Sequence, residues 1–249
     1  MIQENWGNPL QYLARVKSLL KRIVPLPVKR HIFDLASANS VEISLYHLKA
    51  LGFAPVCVID IGAYVGNWTR MARRVFPNAK CLMLEALDEK REYLEAARVE
   101  SPDFIDYEMC LLGSESGKEI TFYVMETGSS MYEELTGYAR QTRTLTTCTL
   151  DSVLARHRMP EGPILLKLDV QGAELDVLAG GPLSMQRAPV ILMEVPVYSY
   201  NKEAPSLQEI LSFMDRRGYH LFDIAALLRP DGIKLAQMDA IFVSNKVSF

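Results

Sequence analysis

The stretch from Val58 to Gly66, Val-Ile-Asp-Ile-Gly-Ala-Tyr-Val-Gly, restricts this chain more than any other feature. Val58, Ile59 and Ile61 form the continuous β-branched run of a strand covered on both faces, and Gly62 and Gly66 let the backbone turn where a side chain would block a ligand. Trp68, Met71, Ala72 and Val75 then recur at helix spacing, and Phe76-Pro77-Asn78 ends that helix. A second strand, Cys81-Leu82-Met83-Leu84 within Lys80 to Ala86, closes on Glu85. That acid lies 19 residues beyond Gly66, near the ~20-residue offset at which a carboxylate accepts hydrogen bonds from ribose hydroxyls. The order strand, glycine turn, helix, strand, acid predicts the front of a nucleotide-binding βαβ unit.

The glycine spacing separates two ligands. Dinucleotide loops carry G-x-G-x-x-G, whose second glycine lets the pyrophosphate approach. Here Ala63 and Tyr64 fill the turn between Gly62 and Gly66. A tyrosine there fits a ligand without a phosphate, of which S-adenosylmethionine is one.

A second motif runs Leu166-Lys-Leu-Asp-Val-Gln-Gly-Ala-Glu-Leu-Asp-Val-Leu-Ala-Gly180, with Thr149-Leu150-Asp151 before it and Glu194 after it. Together with Asp60-Ile-Gly-Ala-Tyr-Val-Gly66 it resembles the FkbM type of class I S-adenosylmethionine-dependent methyltransferases, over roughly residues 55 to 245. Tyr64 stands where that family most often has Asn, and Gln171 where Glu is common. The resemblance implies a Rossmann-like α/β fold: a seven-stranded, mostly parallel sheet with helices on both faces. It also implies S-adenosyl-L-methionine as cofactor and a hydroxylated small molecule or glycan as methyl acceptor.

The hydropathy pattern agrees. Strands are predicted near 56 to 61, 80 to 85, 104 to 110, 163 to 169, 189 to 195, 219 to 224 and 238 to 244, with helices between them. Residues 114 to 151 interrupt this alternation with two strand candidates, Glu119 to Met125 and Arg143 to Leu150, read as an inserted β-hairpin or flap. Ahead of the methyltransferase domain, taken as 51–249, residues 1–50 read as an N-terminal helical extension that lids the cleft or docks. Arg15, Lys17, Lys21, Arg22, Lys29 and Arg30 lie there beside an apolar stripe of Leu13, Val16, Leu20, Ile23 and Val24, which could also meet an anionic membrane.

Composition removes several alternatives. A net charge of −3 gives no basic footprint for nucleic acid. Cys57, Cys81, Cys110 and Cys148 all fall in predicted strands without C-x-x-C spacing and read as small buried apolar residues. With no signal peptide and no long apolar run, the expected location is cytoplasmic and the thiols reduced. His31, His47, His157 and His220 are scattered, and no P-loop, G-x-S-x-G or H-E-x-x-H occurs. A nicotinamide-dependent oxidoreductase and a non-catalytic binding module remain the alternatives.

Asp60, Glu85, Asp169 and Glu194 each close a predicted strand, the edge of an open α/β sheet where ligands bind. Asp60, Gly62, Ala63, Tyr64, Gly66, Glu85 and Ala86 are the expected cofactor contacts, with Asp60 on the ammonium and Glu85 on the ribose diol. Asp169, with Lys167 and Glu194, is the expected catalytic set, Asp169 serving as base or orienting group. Asp169 and Glu194 could also hold magnesium, which the sequence does not require. Ser129, Ser130, Glu174 and Tyr198 are expected on the acceptor side, with Tyr132, Tyr138 and Tyr200 completing a polar aromatic set; Glu174 is equally suited to opening its helix.

Overall fold

The computed structural model describes residues 40–125, 128–133, 140–198, 201–230 and 232–247. The basic N-terminal helix, His31, Tyr138 and Tyr200 lie outside the described residues. The compact unit that carries the sheet starts at Ser40. Ser40 caps helix α1, Val41–Ala50, by accepting from the Ile43 N–H, and Leu45 and Leu48 of that helix are buried in the core.

Strands β1 (Cys57–Ile61), β2 (Lys80–Glu85) and β3 (Ile105–Met109) alternate with helices α2 (Asn67–Val75) and α3 (Arg91–Glu100). A flap follows: β4 (Leu111–Leu112), β5 (Glu119–Val124) and β6 (Gln141–Cys148). The chain continues through α4 (Leu150–His157), β7 (Ile164–Leu168), α5 (Glu174–Ala179), α6 (Pro182–Arg187), β8 (Val190–Pro196), α7 (Leu207–Arg216), β9 (Tyr219–Leu228) and β10 (Gln237–Ser244).

The main sheet has seven strands in the order β3-β2-β1-β7-β8-β10-β9, parallel through β8 and antiparallel where β10 enters between β8 and β9. Every residue of β1 and β7 is buried, which explains their apolar character, broken at Asp60 and Lys167, which pair with each other. Alternation sorts the strand side chains onto two faces. Ile59 and Ile61 pack with α4, α5 and α7, whereas Val58 packs with α1, α2 and α3. The chain leaves β1 toward β2 and returns on its other side as β7, so the switch point of the sheet lies between the carboxyl ends of β1 and β7.

All seven expected strands are present within a few residues of their expected ends. The hairpin is present too, β5 pairing antiparallel with β6, and β4 adds a short parallel strand on its far side. Two readings change. Cys110 is not in a strand: it sits between β3 and β4, where the chain leaves the main sheet for the smaller one, although its N–H still reaches the Glu85 carbonyl at 2.7 Å. Cys110 and Cys148 are half-buried rather than core residues. Among the described residues no helix is long and apolar enough to cross a membrane.

Candidate active site at the switch point

The loop after β1 folds back over the end of β2. Gly62 and Ala63 donate their N–H groups to the Leu84 carbonyl at 2.9 and 3.1 Å. The Tyr64 N–H, presented by a left-handed backbone at φ 52°, donates to Glu85 Oε2 at 2.8 Å. Glu85 Oε1 accepts from the N–H groups of Ala86 and Leu87, both at 2.9 Å. Burial raises the Glu85 pKa, and these three backbone donors oppose the rise.

Gly62, Tyr64, Glu85, Ala86, Ser129, Asp169 and Gln171 line one cleft. Its opposite wall is apolar: Leu87, Leu111 and Phe122 form a small cluster of their own, with Met131 packed against it. The flap supplies Phe122 from β5, and sequence alone did not point to this wall. The period-2 pattern of Ile120, Phe122 and Val124 marks a one-sided strand but not the surface it covers.

Among the described residues no Lys or Arg contributes to the cleft lining, while Glu85 and Asp169 give it two carboxylates. A ligand carrying positive charge is therefore matched, and a pyrophosphate would meet no cation. The cleft measures about 200 Å³, below the ~300 Å³ of ordinary small-molecule sites.

Three expected cofactor contacts face elsewhere. Asp60 is fully buried, its Oδ2 accepting from Thr69 Oγ1 at 2.7 Å and its Oδ1 standing 3.0 Å from Lys167 Nζ. No open face remains for a ligand ammonium. Ala63 is buried in the core. At Gly66 an added Cβ would meet Met83 Sδ at 3.0 Å and Ala97 Cβ at 3.3 Å, so this glycine lets α2 and α3 pack and does not border the cleft.

The acids after β7 and along β8 do converge, in a tiered arrangement. Lys167 lies behind the cleft: its ammonium donates to the Gly62 carbonyl at 2.9 Å and stands 3.7 Å from Asp169 Oδ2. Burial alone would lower its pKa, but Asp60 and Asp169 raise it overall. Asp169 is the exposed member, its side chain 42% accessible. Gln171 Nε2 donates to Asp169 Oδ1 and to Glu194 Oε1, each at 3.0 Å, and Gln237 Nε2 donates to Glu194 Oε2 at 2.7 Å. Burial, with the charges of Asp169, Glu174 and Asp239, pushes the Glu194 carboxyl up to about 9. Side-chain amides occupy both Glu194 oxygens, and the carboxylate presented to the cleft is that of Asp169. Among the described residues, the three-donor grouping close enough for a metal is Glu108, Cys110 and Cys148, not the Asp169 rim.

Of the expected acceptor contacts among the described residues, only Ser129 lines the cleft. Ser130 is fully buried; its Oγ donates to the Gln171 carbonyl at 2.8 Å and accepts from the Tyr132 N–H at 3.0 Å, pinning the flap to the turn after β7. Asn201 Nδ2 donates to the same carbonyl at 2.6 Å. Tyr132 donates to Asp176 Oδ2 at 2.6 Å, and Tyr198 is exposed away from the cleft.

Glu174 braces that turn from beneath. It is 1% exposed, and its Oε1 accepts from the N–H groups of Val170 and Gly172 at 3.1 and 3.2 Å. Its Oε2 is buried with no hydrogen-bond partner among the described residues. Burial pushes this carboxyl up to about 7, above the ~4.3 of an unfolded Glu. The stabilisation from its proton is complete below the unfolded value and is lost as pH rises through the folded one, at up to ~1.4 kcal/mol per pH unit. Glu174→Gln is expected to flatten the decline in stability from about pH 4.5 to about pH 7, read from urea midpoints across that range. An unchanged decline would assign it to other groups.

Several solved methyltransferase structures are similar to this chain. A crystal structure of methyltransferase FkbM from Methylobacillus flagellatus KT is 15% identical at a TM-score of 0.48, covering 75% of this chain, which spans 44% of that protein's length. The precorrin-6y C5,15-methyltransferase of Geobacter metallireducens GS-15 is 12% identical at a TM-score of 0.44, over 82% of this chain and 86% of that one. A putative O-methyltransferase from Nostoc punctiforme PCC 73102 is 11% identical at a TM-score of 0.41, over 82% and 56%. No curated protein sequence matches. These structural likenesses are too distant to carry an argument, and the assignment rests on sequence: the methyltransferase FkbM domain model matches residues 60–221, well over half of the chain, and the protein belongs to that family of S-adenosylmethionine-dependent methyltransferases.

Proposed function

We propose that this methyltransferase transfers the methyl group to a hydroxyl oxygen of a saccharide, glycan or secondary metabolite. One observation carries the reading: Asp169, a half-exposed carboxylate, lines the same cleft as Glu85, with no Lys or Arg among the described lining residues. S-adenosylmethionine, when bound, supplies an electrophilic methyl group on a sulfonium. Glu85 is suited to the ribose diol, and the wall of Leu111 and Phe122 to the adenine. The Gly62 and Tyr64 loop closes the methionine side.

The residues then have two tasks. The first is to hold the acceptor oxygen in line with the methyl carbon at ~3 to 3.5 Å, an arrangement that can supply ~7 to 11 kcal/mol. The second is to receive the hydroxyl proton as the new O–C bond forms. Asp169 does both, orienting the hydroxyl through Oδ2, which stands 3.7 Å from Lys167 Nζ, while Gln171 holds Oδ1. A carboxylate is a weak base toward an alcohol, so orientation is its larger part.

Two variants test the division of labour. Asp169→Asn should reduce turnover on the acceptor by ~10²-fold or more while S-adenosylhomocysteine still binds with wild-type affinity in calorimetry. Full activity of Asp169→Asn on the true acceptor removes Asp169 from the reaction. Glu85→Gln should do the reverse, weakening S-adenosylhomocysteine by about 1.5 to 3 kcal/mol, the worth of a hydrogen bond to a charged acceptor. Binding of NADH in place of S-adenosylhomocysteine would overturn the reading altogether.

A further inference from the structure

Where the flap joins the main sheet, the thiols of Cys110 and Cys148 and an oxygen of Glu108 lie within 4.8 Å of one another. Cys148 ends β6 opposite Leu112, and Cys110 stands just before β4 and lines the cleft. The surroundings of the two sulfurs differ. The Cys148 thiol stands 3.7 Å from the Leu111 carbonyl, and the neighbouring Cys110 and the Arg156 cation lower its pKa to about 7. Cys110 faces that sulfur and Glu108, and its pKa is raised. Arg156 is also paired with Glu108, whose other oxygen holds His157 Nε2 at 2.8 Å. The Arg156 cation, paired with Glu108, favours a thiolate at Cys148.

We propose that Cys110 and Cys148 are a peroxide-sensitive dithiol whose closure to a disulfide disables the cofactor end of the cleft. The Cys148 thiolate attacks one oxygen of hydrogen peroxide, forming an S–O bond as the O–O bond breaks and hydroxide leaves to take up a proton. Cys110 then attacks the Cys148 sulfenic acid sulfur, the S–S bond forms and water departs. Two thiols and one peroxide become one disulfide and two waters, the peroxide being the oxidant. A disulfide requires ~2.05 Å between the sulfurs, so the gap must close. Cys110 cannot shift freely: its N–H is bonded to the Glu85 carbonyl, and the next residue, Leu111, is cleft wall. Closure therefore disturbs both the wall and Glu85. That consequence rests on the cleft being the cofactor site, whereas the oxidation does not.

The test uses the full chain, reduced and then titrated with hydrogen peroxide, with disulfides mapped by peptide mass spectrometry. A single Cys110–Cys148 link is expected. Cys57 and Cys81 should stay reduced, since burial pushes their thiols up to about 11 and about 12. S-adenosylhomocysteine affinity should fall about tenfold or more, ~1.4 kcal/mol, and return with dithiothreitol. Cys148→Ser should abolish both the link and the peroxide effect on binding; in Cys110→Ser, Cys148 should accumulate as a sulfenic acid trapped by dimedone. Thiols that stay reduced, links to other cysteines, or tight stoichiometric zinc in the purified protein would overturn the dithiol assignment. A mapped link with unchanged affinity would overturn the disabling role. Failure of the reduced protein to bind S-adenosylhomocysteine would count against the cofactor reading, and the disulfide map would still decide the oxidation.

Discussion

Lys167→Met lowers the stability of the fold by about 3 to 5 kcal/mol, the loss expected when one partner of a buried ion pair is removed and the other stays behind. Asp60 would keep its Thr69 bond but lose the ammonium 3.0 Å from Oδ1, with no water able to replace it at 0% exposure. The Gly62 carbonyl would lose its 2.9 Å donor as well. For a domain stabilised by about 5 to 15 kcal/mol in total, that is a large fraction, visible as a much lower urea midpoint. The loss should not vary from pH 6 to 9: Lys167 is raised in the fold, so its contribution is fully present below the ~10.4 of an unfolded lysine. The double variant Asp60→Leu/Lys167→Met should recover most of the stability, because an apolar pair leaves no buried charge unpaired. A single variant as stable as the wild type would mean that Asp60 finds another partner.

The same pair shows what sequence could and could not convey. Largely apolar runs identified β1, β2, β7 and β8, because a parallel strand buried on both faces needs them. Acids at the ends of those runs located the rim, since strand ends mark where an open sheet binds ligands. Alternation does not reveal whether a side chain at that rim meets solvent or a neighbouring strand. Asp60 and Lys167 face each other across adjacent strands in direct register, and only the strand order, with its switch between β1 and β7, makes them partners. The same limit hid the bridge from Gln171 to both Asp169 and Glu194. That bridge depends on a left-handed residue at φ 53°, and a non-glycine residue there is not foreseeable from composition. Strand β4 is two residues long, too short for any periodic pattern. The cleft wall and the Cys110–Cys148 pair both depend on it, so both were out of reach.

The glycines separate steric demand from backbone strain, and Gly62→Ala is where both act. An added Cβ would lie 1.9 Å from the Asp169 carbonyl oxygen and 2.9 Å from its carbon, on a residue at φ +74°. The left-handed backbone costs about 1 to 2 kcal/mol, and an overpacked contact about 1 to 3 more. The expected loss is thus ~2 to 5 kcal/mol, since neither side can yield cheaply. The obstacle is backbone, and the Asp169 N–H is held by the Ile61 carbonyl at 3.0 Å, so β7 cannot recede without breaking a ladder bond. Gly52→Ala provides the comparison: φ is +99°, but nothing lies within 4 Å, so strain acts alone. Gly66→Ala should fall between them, because its tightest neighbour, Met83 Sδ at 3.0 Å, belongs to a flexible side chain. Urea midpoints in the order Gly52, Gly66, Gly62, from mildest to most severe, would measure the contact between β1 and β7 directly. In whatever fraction of Gly62→Ala stays folded, the displaced turn should carry Asp169 off the cleft and reduce turnover more than S-adenosylhomocysteine binding. Equal losses at 62 and 52 would mean that the turn after β7 gives way easily, and that Asp169 is held in place by Gln171 and Lys167 rather than by the loop it abuts.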